Sequence, residues 1–276
     1  MNAVRARADR RLLQVLSVVL ALAVGAWAGP AAAQSFARPP RPPSVFALVT
    51  MDRITWEPYE YGTGFFFDAA GDAYTASSIV RDAVKDPYLL LIALVGDAEY
   101  AVHVECWNPD ATSGSKTASR DVAVLHVGPD VPEFPLWSYH PATSPLAAAP
   151  MPLAFEGSLT DGESVRIVGF GHRQENRLPR EEAAGRLSSL GRAKDGAMIV
   201  TIGFPNGGSV AYGAGGGPIV DDAGGVIGIA VWDGSRRNAA GAVDTLGVAS
   251  SSLGCVSRLP SKQVPPSPYP APIRPI

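Results

Sequence analysis

Between residues 45 and 232 the chain breaks into short β-branched and aromatic runs separated by glycine, proline and aspartate, a punctuation that leaves little room for long helices. Runs of this length and composition read as strands of an antiparallel all-β fold. The clearest cover 45–50, 64–68, 89–95, 101–105, 122–127, 165–170, 197–202, 217–220 and 226–232. Asp221-Asp222-Ala223-Gly224-Gly225 supplies a turn between the last two, so these should pair as a hairpin. Helical patterning is confined to 78–84 and 181–188, and no internal repeat is evident.

The flanks are of a different kind. Arg5, Arg7, Arg10 and Arg11 precede a largely apolar stretch from Leu12 to Trp27, and Ala31-Ala32-Ala33 suits cleavage before Gln34. Residues 1–33 therefore read as an export signal. The alternative is an uncleaved anchor, for which the apolar stretch is short and interrupted. Arg10-Arg11 also leaves twin-arginine export open beside the general secretory route. Residues 34–44 contain Arg38-Pro-Pro-Arg-Pro-Pro-Ser44, an extended linker that lacks the amide hydrogens of a sheet ladder. Residues 259–276 carry seven prolines and favour polyproline II or disorder. Each proline-rich flank is a spacer or a ligand for a partner. The intervening 45–258 is the folded domain.

Removing residues 1–33 takes away four arginines and one aspartate and moves the formal charge from −3 to −6. That disfavours nucleic acid as a partner. The remaining 243 residues can bury a substantial core. Cys106 and Cys255 form an even pair in a chain read as exported, which favours a disulfide, with two separate buried thiols as the alternative.

Four segments taken together resemble the trypsin-like serine protease superfamily, in the compact, glycine-rich style of the bacterial HtrA-like branch. They are Gly62-Thr-Gly-Phe-Phe-Phe-Asp-Ala-Ala-Gly71, Tyr74-Thr-Ala-Ser-Ser-Ile-Val80, Asp121-Val-Ala-Val-Leu-His-Val127 and Gly213-Ala-Gly-Gly-Gly-Pro218. The resemblance spans about residues 45–258 and implies a double six-stranded antiparallel β-barrel. Residues 130–162, with six prolines, then form the crossing between the barrels.

The resemblance also assigns triad positions, and two of the three are degenerate. Where the family has its serine nucleophile this chain has Gly215, and where it has its histidine base this chain has Ser78. Asp121 stands at the position of the orienting carboxylate and is expected to bond nearby groups, Ser78 among them. A serine hydroxyl attacks at neutral pH only with an imidazole to take its proton and a carboxylate to hold that imidazole. Neither a nucleophile nor a base remains. The amides of Gly213 and Gly215 match the donors that face the carbonyl oxygen of a bound peptide, and these need no side chain. Trp232 matches a groove wall, or is a core aromatic.

Other chemistry finds less support. His103, His126, His140 and His172 do not stand at the base position, and with Cys106 they lack the spacing of a metal site. Gly213–217 lacks the lysine and hydroxyl of a phosphate loop. No metal and no cofactor is expected. The leading expectation is an exported, proteolytically inactive protease homologue that binds a peptide or protein. The alternatives are a hydrolase using another nucleophile such as Ser209, and a structural envelope protein held by its flanks.

Overall fold

The computed structural model describes residues 43–110, 120–129, 142–155, 159–171, 178–204, 210, 212–231, 236–237, 243–255 and 257–258. The expected signal, most of the linker and the tail lie outside the described residues, as do Ser209, Trp232, His140 and His172.

Six antiparallel strands close the first barrel: β1 (Val45–Asp52), β2 (Pro58–Phe66), β3 (Asp72–Thr75), β4 (Leu89–Val95), β5 (Ala98–Trp107) and β6 (Ala123–Val127). Their order is β4-β1-β2-β3-β6-β5, and β5 returns to β4. The helix α1 (Ser77–Lys85) follows β3 directly. The second barrel runs β10-β7-β8-β9-β13-β11 and closes through β10–β11. Its strands are β7 (Ser164–Phe170), β8 (Arg180–Arg192), β9 (Met198–Gly203), β10 (Pro218–Val220), β11 (Val226–Ala230) and β13 (Val243–Ala249). Two short strands are appended: β12 (Arg236–Arg237) on β13, and β14 (Ser257–Arg258) on β5. Closure leaves neither sheet with a long open edge.

Alternation positions the cores. In β6, Ala123, Leu125 and Val127 are buried while Val124 and His126 are half-buried, the period expected of a strand with one face inward. The first barrel is filled around Phe46, Leu48, Phe65, Phe66 and Leu125. The Phe46 and Phe66 rings lie 4.7 Å apart between centroids. Val168, Val226, Leu246 and Val248 join the same cluster from the second barrel, so the seam between barrels is itself apolar. A second cluster around Ile167, Leu187, Ile202, Phe204, Ile219 and Ile227 fills the other barrel.

The 221–225 turn joins β10 to β11 as expected, with Asp221 N–H bonded to Gly225 O. The helical expectation at 181–188 is corrected, because this stretch belongs to the 13-residue strand β8. Its glutamates, alanines and leucine are good helix formers. Yet β7 and β9 each need a partner here, pairing Val165 with Gly185 and Leu187 with Ile202. Gly185 is required by the close approach: a Cβ there would stand 2.6 Å from Ile202 Cγ2. Barrel closure overrides the local preference.

Two extended segments tie the barrels together. On the outward crossing, Met151 N–H donates to Phe66 O of β2, and Ala154 N–H donates to Val226 O of β11. On the return, Cys255 is bonded to Cys106 at the end of β5, and Asn108 Nδ2 donates to Gly254 O at 3.4 Å. The bond closes a covalent loop with a sequence separation of 149. Replacing both cysteines by serine is expected to lower unfolding stability by about 2–5 kcal/mol, since so long a loop strongly restricts the unfolded chain. Urea denaturation of the two forms measures it, and equal midpoints would show that the bond contributes nothing.

Candidate functional site

The helix α1 begins without a side-chain cap of its own, because its N-cap residue is Ala76. The first amides of a helix have no partner within it. Here the cap comes from Asp121, which precedes β6 and has no exposed surface. Ser78 N–H donates to Asp121 Oδ1 at 2.6 Å and Ser78 Oγ donates to Oδ2 at 2.8 Å. A carboxylate at a helix amino end is also favoured by the helix dipole. One residue thus occupies both oxygens of Asp121.

The residues around this pair are held as firmly. Ser77 Oγ donates to Val122 O at 2.6 Å and accepts from Asn108 N–H at 2.9 Å. Asn108 Nδ2 donates to Arg120 O at 2.6 Å, so both neighbours of Asp121 are anchored. Burial pushes the Asp121 carboxyl up to about 6, against the hydrogen bonds from Ser78 and the charge of Arg81, which pull it down. Nearby, burial and the charge of Asp82 raise Glu60 of β2 to about 7. Tyr59 Oη donates to Asp82 Oδ2 at 3.4 Å on the exposed side of this acidic group.

The glycine-rich loop lies in the seam. A 3-10 turn, Tyr212–Ala214, leads into it, and Gly217 N–H closes back on Ala214 O at 2.9 Å. In a trans peptide the N–H points opposite to the carbonyl. Because Ala214 O is engaged inside the turn, the Gly215 N–H is directed out of it. The second barrel holds the loop through Gly216 N–H to Ala230 O at 2.7 Å and Ala230 N–H to Gly217 O at 2.9 Å. The first barrel holds it through Thr63, whose N–H donates to Gly215 O at 2.9 Å and whose Oγ1 donates to Gly213 O at 2.7 Å.

The glycines are not equivalent. Gly216 has φ +83°, and a Cβ there would stand 2.3 Å from Thr75 Oγ1 and 2.4 Å from Thr63 O. At Gly213 a Cβ would meet Phe170 O at 2.5 Å. At Gly215 the nearest atom to a Cβ would be Ile79 Cδ1, at an ordinary 3.5 Å. Position 215 therefore has room for a side chain directed toward the turn of α1 that carries Ser78.

Of the residues singled out in the sequence, Ser78 and Asp121 meet directly, Gly215 faces the neighbour of Ser78, and Gly213 lies in the same loop. Trp232 lies outside the described residues. His126 is elsewhere, with Nδ1 2.8 Å from Asp72 Oδ1 across β3 and β6. His103 Nε2 lies 4.0 Å from Glu105 on β5. Among the described residues no group of side chains is arranged to hold a metal ion, and no helix is long and apolar enough to cross a membrane. Thr63 and Glu60 were not singled out by sequence reasoning. Thr63 stands in plain view between Gly62 and Gly64, but the partners of its hydroxyl, Gly213 and Phe170, are more than 100 residues away.

The model of the trypsin-like peptidase domain matches residues 62–229, more than half of the chain, and the match takes in Thr63, Ser78, Asp121 and the loop 213–217. The chain belongs to the trypsin-like peptidase domain family. Its fold is also that of solved proteases. One is the HtrA-type protease AlgW with a tripeptide, at TM-score 0.51 and 18% identity over 76% of this chain. This chain covers 57% of AlgW. Another is the Rv3671c protease from M. tuberculosis in its active form, at TM-score 0.51 and 18% identity, over 80% of this chain and 85% of that one. No curated protein gives a significant match.

Two predictions follow from the geometry of this family member. Gly215→Ser is expected to leave the melting temperature unchanged or slightly raised, because the site has space and the variant restricts the unfolded chain. Gly216→Ser is expected to cost at least about 2 kcal/mol, since a left-handed backbone and three atoms inside contact distance oppose any Cβ. Chemical denaturation of both variants separates these cases. The second prediction concerns pH. Glu60 holds its proton more tightly when folded, so its contribution to stability is full below its ordinary 4.5 and is lost as pH rises through about 7. After discounting for solvent screening, Glu60→Gln should remove a fall of about 1–2 kcal/mol between pH 5 and 8. Matching pH profiles of wild type and variant would refute the assignment.

Proposed function

We propose that this trypsin-like peptidase-domain protein is exported, does not cleave peptide bonds, and acts by binding a peptide or protein segment in the cleft beside Gly215. The observation that carries this reading is the state of Asp121. Its two oxygens are engaged by the amide and hydroxyl of Ser78, at 2.6 and 2.8 Å, where an orienting carboxylate would hold an imidazole. Gly215 provides no hydroxyl, and His126 has its Nδ1 2.8 Å from Asp72 Oδ1. What remains of the site is backbone. An outward Gly215 N–H on a firmly held loop is a donor suited to a carbonyl or carboxylate oxygen. The Cys106–Cys255 bond supports an oxidising compartment, in keeping with residues 1–33 as an export signal.

Without nucleophile and base, a site of this kind retains only ~10³–10⁴-fold acceleration over water, too little for a working protease. The native protein is expected to resist labelling by a serine-directed phosphonate and to leave denatured casein intact. A mixture of tripeptides should saturably shift the amide resonances of Gly213 and Gly215. Stoichiometric phosphonate labelling of any serine, lost on unfolding, would replace this reading with the hydrolase alternative. Absence of any shift at millimolar peptide would remove the binding role. The double change Gly215→Ser with Ser78→His should give measurable ester hydrolysis, whereas each single change should not, because triad members act as a unit. If residues 78, 121 and 215 of the folded double variant lie out of hydrogen-bonding reach of one another, the assignment of triad positions is wrong.

A further inference from the structure

We propose that Thr63 is the positioning residue of the site: its hydroxyl and amide, reaching across the seam, set the loop that carries the Gly215 N–H. Thr63 lies on β2 and has no exposed surface. Every polar group it owns is used. Its N–H donates to Gly215 O at 2.9 Å and its Oγ1 donates to Gly213 O at 2.7 Å. The same Oγ1 accepts Phe170 N–H of β7 at 3.1 Å, and its carbonyl accepts Thr75 Oγ1 at 2.7 Å. Three of these four bonds leave the first barrel for the second barrel or the loop.

The placement of the two acceptors gives Thr63 its effect. Gly213 O and Gly215 O flank the peptide unit between Ala214 and Gly215, the unit that bears the outward N–H. Both carbonyls are held from one side by a single residue, and Gly217 N–H holds Ala214 O from within the turn. Rotation of the intervening peptide plane would break at least one of these bonds. The Thr75 hydroxyl fixes the Thr63 backbone in turn. A side chain of the same shape without the hydroxyl would leave Gly213 O and Phe170 N–H buried and unpaired at the edge of the loop. The loop is thus set by the first barrel and not by the side chain at 215, which explains how an ordered loop coexists with glycine at that position. Thr63 touches no ligand in this account and acts through the loop alone.

The inference rests on the peptide-binding reading for its functional consequence, but its structural core can be tested separately. Full-length wild type, Thr63→Val, Thr63→Ala and Thr63→Ser are compared by amide hydrogen exchange and by titration with the tripeptide mixture. In folded Thr63→Val, exchange at Gly216 and Gly217 should accelerate by about tenfold or more, although neither amide bonds to Thr63. Thr63→Ser keeps the hydroxyl and should restore protection. Thr63→Ala leaves space for a water and guards against a valine variant that does not fold; it should accelerate the same two amides. The titration should weaken by about tenfold in Thr63→Val and recover in Thr63→Ser. Unchanged protection of Gly216 and Gly217 in a folded variant lacking the hydroxyl overturns the proposal. If wild type shows no tripeptide shifts while the exchange pattern is as expected, the binding role fails and Thr63 remains the residue that positions the loop. If the valine variant binds as tightly as wild type despite faster exchange, the positioning role in binding fails while the binding role stands.

Discussion

Backbone groups buried in the seam between two closed barrels need protein partners, and the loop 213–217 finds them on both sides for the carbonyls of Gly213, Gly215 and Gly217 and the amide of Gly216. The first barrel contributes Thr63 N–H and Oγ1, and the second contributes the N–H and carbonyl of Ala230. The fit leaves no room for side chains at Gly213, Gly216 or Gly217, where an added Cβ would lie within 2.5 Å of backbone or hydroxyl oxygen. Gly215 is the exception. This explains how the loop keeps its course while its one glycine with space for a Cβ carries no side chain.

The same accounting explains how Asp121 can be buried. A carboxylate without exposed surface costs free energy unless it is well bonded. Ser78 meets that need at the amino end of α1, where the helix lacks a cap of its own. Asp121 is part of the helix start, and Ser77 with Asn108 anchors the residues on either side of it. Burial still outweighs these bonds and holds its carboxyl up to about 6. Burial likewise raises Glu60 to about 7, so the first barrel holds two carboxyls raised toward neutrality.

Much of the architecture was legible because the strands are short β-branched and apolar runs bounded by turn residues. β4 was bounded correctly from its apolar run, and the 221–225 turn announced the β10–β11 hairpin. β3, with four residues, is too short to show a period. β8 carries helix-forming residues and is a strand only because two neighbours need it. The site divides in the same way. Its residues were visible as motif positions, whereas Thr63 and Glu60 acquire meaning only from partners that local pattern does not reveal.

By itself the sequence determined the fold class, since short β-branched runs punctuated by turn residues admit little else, and it determined that glycine and serine stand at two positions of the motif pattern. Chemistry absent from the side chains cannot be supplied by folding. The tertiary structure alone decided that β8 is a strand, that Cys106 and Cys255 meet, that Ser78 takes both oxygens of Asp121, and that Thr63 holds the loop. The reason is distance along the chain. Asp121 lies 43 residues from Ser78, Gly213 lies 150 from Thr63, and Cys255 lies 149 from Cys106. Such pairings arise from barrel closure and from the apolar seam, where buried polar groups must be matched, and local periodicity carries no record of them.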